Sequence, residues 1–152
     1  MGNTSQPVGK MPKVPVLVSI VRSFSILFLV KLWNSSTGFC FITFSAHTAP
    51  VTGVKFAGSG SGRVLLSASL DGTVRAHDLL RYRNFRTMTS PNPCQFTSLA
   101  IESTGSVVCA GSLDPFNVFV WSLQTGSLLD ILAGHEGDKK SNIYLMLRKC
   151  TN

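Results

Sequence analysis

Trp33 and Trp121 stand 88 residues apart. The pairs Thr37-Gly38 and Thr125-Gly126 share that spacing, and so do His47 and His135. At the midpoint, 44 residues beyond Trp33, lies the run Val74-Arg75-Ala76-His77-Asp78. Several independent motifs keep one phase, so the chain carries three copies of one unit. A unit of this length cannot bury its apolar face alone. It must stack on its neighbours, and this constrains the fold more than any single residue does.

Inside a unit the pattern is short apolar runs broken by turn residues, which predicts strands. In the middle unit these are residues 51–56, 64–69, 74–79 and 85–89. Gly58-Ser59-Gly60-Ser61-Gly62 forms a loop and Leu70-Asp71-Gly72 a tight turn. In the next unit they are 96–101, 107–111, 117–121 and 128–133, with turns at Ser103-Thr104-Gly105 and Leu113-Asp114-Pro115. Four antiparallel strands in about 44 residues is the size of one β-propeller blade. Asp114 follows Asp71 by 43 residues rather than 44, a slip expected to arise in the turn at Pro115.

Composition agrees. Thirteen glycines and ten phenylalanines beside seven acidic residues suit a turn-rich β protein better than a helical bundle, whose exposed faces need many Glu and Lys. Only 14% of residues are charged and 44% are hydrophobic, which excludes a disordered tail. The length, 152 residues, gives room for one core but not for a catalytic domain with a regulatory partner. It is also short of a ring, because propellers close with typically four to eight blades. The expectation is an all-β, unclosed piece of propeller: about two complete four-stranded blades and parts of others, belonging to a longer protein.

Fourteen Lys and Arg against seven Asp and Glu give a formal charge of +7, which suits an acidic partner. The densest basic stretch is Arg75, Arg81, Arg83 and Arg86, interleaved with Tyr82 and Phe85 and opposed by Asp78. It reads first as a solvated loop and strand edge, and phosphate contact with aromatic stacking is the functional alternative. Cys40, Cys94, Cys109 and Cys150 show no C-x-x-C spacing, and no paired His follows them. No metal site and no cofactor are expected, and the thiols are read as free, in a reducing compartment.

Residues 1–13 are polar and contain Pro7 and Pro12, which reads as an unstructured leader. Residues 14–30 (VPVLVSIVRSFSILFLV) are apolar. Seventeen residues is the lower limit for a spanning helix, and Arg22 near the middle is costly at bilayer depth. No small-x-small cleavage site follows, which argues against a signal peptide. Val, Ile, Phe and Ser favour strand. Membrane contact is therefore not expected, and a membrane-anchored β domain using 14–30 remains an alternative.

The run Ser67-Ala68-Ser69-Leu70-Asp71-Gly72-Thr73-Val74-Arg75-Ala76-His77-Asp78 resembles the end of a WD40 repeat. Gly134-His135 resembles the Gly-His that opens the next, and Ala46-His47 keeps its His. The Trp-Asp pair occurs in altered form as Trp33-Asn34, His77-Asp78 and Trp121-Ser122. In WD40 blades an Asp in the tight turn, a His before the first strand, a Ser or Thr in the second and a Trp in the third form a hydrogen-bonded set. By that resemblance the structural residues are His47, Ser67 or Ser69, and Asp71 in the middle unit. His77 stands for the Trp there, which implies a weaker set. Asp114 and Trp121 follow in the next unit, and His135 opens the one after. These roles are structural, and the WD40 pattern accounts for Asp71, His47 and Ser67 without a hydrolase triad. No nucleophile, phosphate-loop or metal motif is present, so no enzyme and no catalytic residue are expected.

A narrower resemblance follows. Asp71-Gly72-Thr73-Val74-Arg75-Ala76-His77-Asp78-Leu79-Leu80-Arg81-Tyr82-Arg83-Asn84-Phe85-Arg86-Thr87 with Ser90-Pro91 is similar to the periodic tryptophan protein 2 family. So are Phe119-Val120-Trp121-Ser122-Leu123-Gln124-Thr125-Gly126, Gly134-His135-Glu136-Gly137, and Trp33-Asn34 with Gly38-Phe39-Cys40-Phe41. The likeness runs over residues 30–137. It divides them into a blade end (30–46), two blades (47–89 and 90–133) and the start of another (134–137), leaving a leader (1–29) and a tail (138–152) outside. The resemblance implies a non-catalytic WD40 scaffold of the nucleolar small-subunit processome. Its expected partners are other processome proteins, with association to U3 small nucleolar RNA and the 18S ribosomal RNA precursor. Arg75, Arg81, Tyr82, Arg83, Phe85 and Arg86 would be candidate contacts. A WD40 peptide-binding adaptor unrelated to ribosome assembly is the alternative.

Overall fold

A computed structural model describes residues 16–22, 28–57 and 63–133. Among them every regular element is a strand. The first sheet holds β1 (Val16–Arg22), β2 (Phe28–Asn34) and β3 (Cys40–His47) in that order. The second holds β4 (Val51–Ala57), β5 (Val64–Ser69), β6 (Thr73–Asp78) and β7 (Arg83–Thr89). The third holds β8 (Phe96–Ile101), β9 (Val107–Ser112), β10 (Val118–Ser122) and β11 (Leu128–Leu132). All pairings are antiparallel between sequence neighbours, so each sheet is a meander.

The fold is thus all-β, built of three stacked blades that do not close into a ring among the described residues. β5 and β9 explain the stacking. Both read iBBBBB in burial, whereas a strand on a one-sided sheet would alternate; β5 lies between two sheets, and β9 has the second sheet on one face and Ala100 and Val118 of its own sheet beside Cys109 on the other. On one face of the second sheet Leu66, Ala68, Val74, Ala76 and Met88 pack against Phe96, Leu99, Val108, Ala110 and Trp121 of the third. On its other face Leu65, Leu79 and Val51 meet Phe28, Val30, Leu32, Ile42 and Phe44 of the first. Leu65 and Leu66 are both 0% exposed. Burying each contributes about 2 kcal/mol.

The innermost strands of the two complete blades approach closely. The Thr52 hydroxyl donates to the Phe96 carbonyl across the sheets at 2.8 Å. A Cβ on Gly53 would stand 3.3 Å from the Leu99 Cβ, so glycine lets β4 and β8 meet.

Two expectations are corrected. The slip of one residue does not arise at Pro115. β9 already begins 43 residues after β5, so the residue is lost upstream of Asp114. The long turn before β10 then restores the spacing, because Trp121 is again 44 residues beyond His77. The apolar stretch set apart as leader also joins the first sheet. β1 pairs with β2 without interruption from Val16↔Asn34 to Arg22↔Phe28, and Val18 packs on the core behind it. The register is the reason: Val18 lies opposite Leu32 on the face that packs on the core, while Val16 and Ile20 on that face reach solvent. Among the described residues no helix is long and apolar enough to cross a membrane.

Candidate functional site

The middle unit gathers its marked residues between the first and second sheets. His47 ends β3, Asp71 sits in the β5–β6 turn, Ser67 lies on β5 and His77 on β6. The Asp71 carboxylate accepts from His47 Nδ1 at 2.8 Å. It also accepts from the Thr48 amide at 3.1 Å, the Thr73 amide at 2.9 Å and the Thr73 hydroxyl at 2.7 Å. On the far side of the ring His47 Nε2 lies 2.8 Å from Ser67 Oγ, which lies 3.0 Å from His77 Nε2. Ser69 takes a separate part: its hydroxyl donates to the Ala49 carbonyl at 2.9 Å and accepts from the Asp71 amide at 3.1 Å.

These contacts fix the proton positions. Asp71 is ionised, so His47 Nδ1 donates to it and His47 Nε2 accepts from the Ser67 hydroxyl. Ser67 Oγ then accepts from His77 Nε2–H, leaving His77 Nδ1 as a bare acceptor. That atom is buried without a hydrogen-bond partner among the described residues. His77 instead stacks on Phe44, with ring centroids 4.3 Å apart. Burial, with the charges of His47 and Arg75, pushes the His77 pKa down to about 4. Burial also holds His47 below its ordinary value, against the pull of Asp71. For Asp71, burial pushes the carboxyl up, but the bonds from Thr73 and His47 outweigh it and the pKa is lowered. Ser67 and His77 are both 0% exposed and His47 is 1% exposed. Under that cover the Ser67 hydroxyl is held between the two imidazole rings. The arrangement joins β3 of the first sheet to β5 and β6 of the second through hydrogen bonds.

The register explains why the other units differ. The third-strand ring pairs across the sheet as Trp33↔Leu17, His77↔Leu65 and Trp121↔Val108. The Trp33 and His77 rings bond the diagonal neighbour two residues further along, and Trp121 has a corresponding neighbour in the register. Those neighbours are Ser19, Ser67 and Ala110. Trp33 Nε1 accordingly donates to Ser19 Oγ at 2.8 Å. Trp121, facing an alanine, donates to the Thr89 carbonyl of the preceding blade at 3.2 Å and packs edge-on against Phe96. Asp114 occupies the turn position of Asp71, but it is exposed and takes no hydrogen bond to its carboxylate among the described residues. It is not joined to Trp121, and the set expected there does not assemble, because its hydroxyl and histidine members are missing. His135 lies outside the described residues. Ser19 was not legible as a member: the stretch before residue 30 carries no repeat, and only the alternation of an apolar strand marks it.

The basic residues do not form one surface. Arg75 is half-buried on β6 and donates to the Thr73 hydroxyl at 3.2 Å. Arg81 pairs with Asp78 at 3.3 Å in the β6–β7 turn, where both are close to solvent. Tyr82 follows at φ +52° and is 62% exposed. Arg86 turns to the third sheet and donates to the Gln124 carbonyl at 2.6 Å. Arg83 and Phe85 are left exposed on β7, the outer edge strand of its sheet. Among the described residues no three of His, Cys, Asp and Glu are placed to hold a metal ion.

No protein-family model matches the chain. It is 54% identical over 107 residues to the periodic tryptophan protein 2 homologue of Dictyostelium discoideum and 58% identical over 107 to that of Caenorhabditis elegans. It is 58% identical over 108 residues to periodic tryptophan protein 2 of Saccharomyces cerevisiae. These matches cover 70–71% of this chain but 12% of each relative, so the chain spans about an eighth of their length. Over that stretch, about 70% of its length, the chain is similar in sequence to periodic tryptophan protein 2 from each of these organisms.

Proposed function

We propose that this chain is a non-catalytic WD40 module for protein–protein assembly. Its setting is ribosome biogenesis in the nucleolus, within the small-subunit processome that matures the 18S ribosomal RNA precursor. The single observation that carries the reading is the 54–58% identity to periodic tryptophan protein 2 across some 107 residues. The geometry supports it: the polar cluster of His47, Ser67, Asp71 and His77 lies between two sheets and links them. Its partners are other proteins of that assembly. Contact with U3 small nucleolar RNA or the precursor RNA runs through Arg83 and Phe85, with Arg81 beside them. A blade division at 47 and 90 is supported by the second and third sheets beginning just after those positions, and structural roles for His47, Ser67, Ser69, Asp71 and Trp121 are supported by their hydrogen bonds.

Affinity capture of the tagged chain from nucleolar extract, read by mass spectrometry and RNA sequencing, tests the reading. Ribosome-assembly proteins with U3 RNA or the 18S precursor are the expected recovery, together with nucleolar staining. Diffuse staining and recovery of none of these would overturn it. If the basic edge touches phosphate, binding weakens with salt and Arg83→Ala lowers the salt slope by about one.

A further inference from the structure

The edges of the three sheets are not alike. Five edge strands are irregular: the pairings of β3, β4, β7, β8 and β11 with their neighbours each contain a register shift. Bulges of this kind twist an edge away and blunt it against other chains. β1 is the exception, with seven consecutive pairs to β2 and no shift. Its free side lies where the other sheets have β4 and β8, and no described strand fills that place. Its composition does not guard it either. From Val16 to Val21 there is no charge, proline or glycine, whereas β7 carries Arg83 and Arg86 and β11 carries Asp130. Apolar side chains on both faces of β1 reach solvent: Leu17 is 59% exposed on one and Ile20 43% on the other. An edge that is flat, apolar and unguarded is built to accept a strand.

The sequence of β1 also says which strand. Val16-Leu17-Val18-Ser19-Ile20-Val21-Arg22 reads nearly the same in both directions about Ser19. Antiparallel pairing with an identical strand about a two-fold axis at Ser19 sets Val18 against Ile20, Leu17 against Val21 and Ser19 against Ser19. Apolar meets apolar on each face, hydroxyl meets hydroxyl, and the Arg22 positions fall at opposite ends. An isologous contact requires this self-complementarity, and the strand has it. We propose that β1 is a homodimerisation edge. Two copies of the chain join β1 to β1 in antiparallel register about Ser19, making one continuous six-stranded sheet from two three-stranded ones. This goes beyond the scaffold reading and does not depend on it.

Light scattering on a sizing column, under reducing conditions and at tens of micromolar chain, tests it. The wild-type chain is expected at twice its monomer mass. Ile20→Lys and Ile20→Glu place like charges near the axis, and each alone is expected to run as a monomer with unchanged circular dichroism. An equal mixture of the two restores the dimer, which a misfolded variant could not do. Thr43→Lys, on the bulged β3 edge, leaves the dimer intact. A monomeric wild type, dimeric Ile20→Lys, or a mixture that stays monomeric overturns the proposal. So does loss of the dimer in Thr43→Lys.

Discussion

Asp71 and Asp114 occupy the same turn position in successive blades, yet the structure assigns them opposite weights. Replacing Asp71 by Ala removes four acceptor contacts, of which three touch groups with partial or full access to water. The Thr48 amide is exposed, and the Thr73 amide and hydroxyl are only part-buried, so water replaces much of what they lose. His47 is different. It is 1% exposed, and its Nδ1 proton would lose the charged acceptor and keep only the longer contact to the Thr73 hydroxyl at 3.3 Å. An unsatisfied buried donor costs about 1–3 kcal/mol, and the lost charge-assisted bond lies at the upper end of that range. Asp71→Ala is therefore expected to cost about 1–3 kcal/mol, a large share of the 5–15 kcal/mol typical of a domain. Asp114→Ala removes an exposed carboxylate with no hydrogen bond among the described residues, and is expected to change stability by less than about 0.5 kcal/mol. Urea titrations followed by the fluorescence of buried Trp121 measure both. Equal midpoint shifts for the two variants would refute the reasoning, because the turn position alone would then decide the effect.

Other outcomes follow from the same network and its surroundings. His77 is held neutral with a pKa of about 4 against 6.5 unfolded, so the unfolded chain binds the extra proton first. Its contribution is full above pH 6.5 and is lost as pH falls toward 4, about 3 kcal/mol in all, with His47 acting in the same direction. A urea midpoint that stays level from pH 7 to pH 5 would contradict this. Gly72 sits at φ +79°, and a Cβ there would stand 2.7 Å from the Cys94 carbonyl oxygen, so Gly72→Ala should cost at least about 1–2 kcal/mol in the same titration. Ser19→Ala leaves the Trp33 indole N–H without its partner and should cost about 1 kcal/mol, while Ser19→Thr keeps the hydroxyl and most of the stability.

The legible parts of the fold were those that the repeat repeats. Residues 64–69 and 96–101 read as strands with the bounds they have, because a turn signal stands at each end. β1 could not be read as part of a blade, since nothing in residues 16–22 echoes the units that follow. What places it is pairing with β2, a contact made in space. The site divides in the same way. His47, Ser67 and Asp71 are visible because motif and phase mark them. That His77 would carry the chain of bonds onward, that Ser19 would serve Trp33, and that Asp114 would stand idle all depend on which residue sits diagonally across the sheet. Ala110 decides the last case, and no local motif marks it. The basic stretch looked continuous because four arginines lie within twelve residues. Strand alternation and the bulge in β7 send Arg75, Arg83 and Arg86 to different neighbours.

The central claim is that these sheets are stacked blades, with β5 and β9 buried from their second residue onward. Amide hydrogen exchange read by mass spectrometry tests it most directly. Peptides covering β5 and β9 should be the slowest to exchange, with β6 and β10 next and β11 among the fastest. Exchange in β5 and β9 as fast as in β11 would contradict the stacking, and with it the structural role given to His47, Ser67 and Asp71.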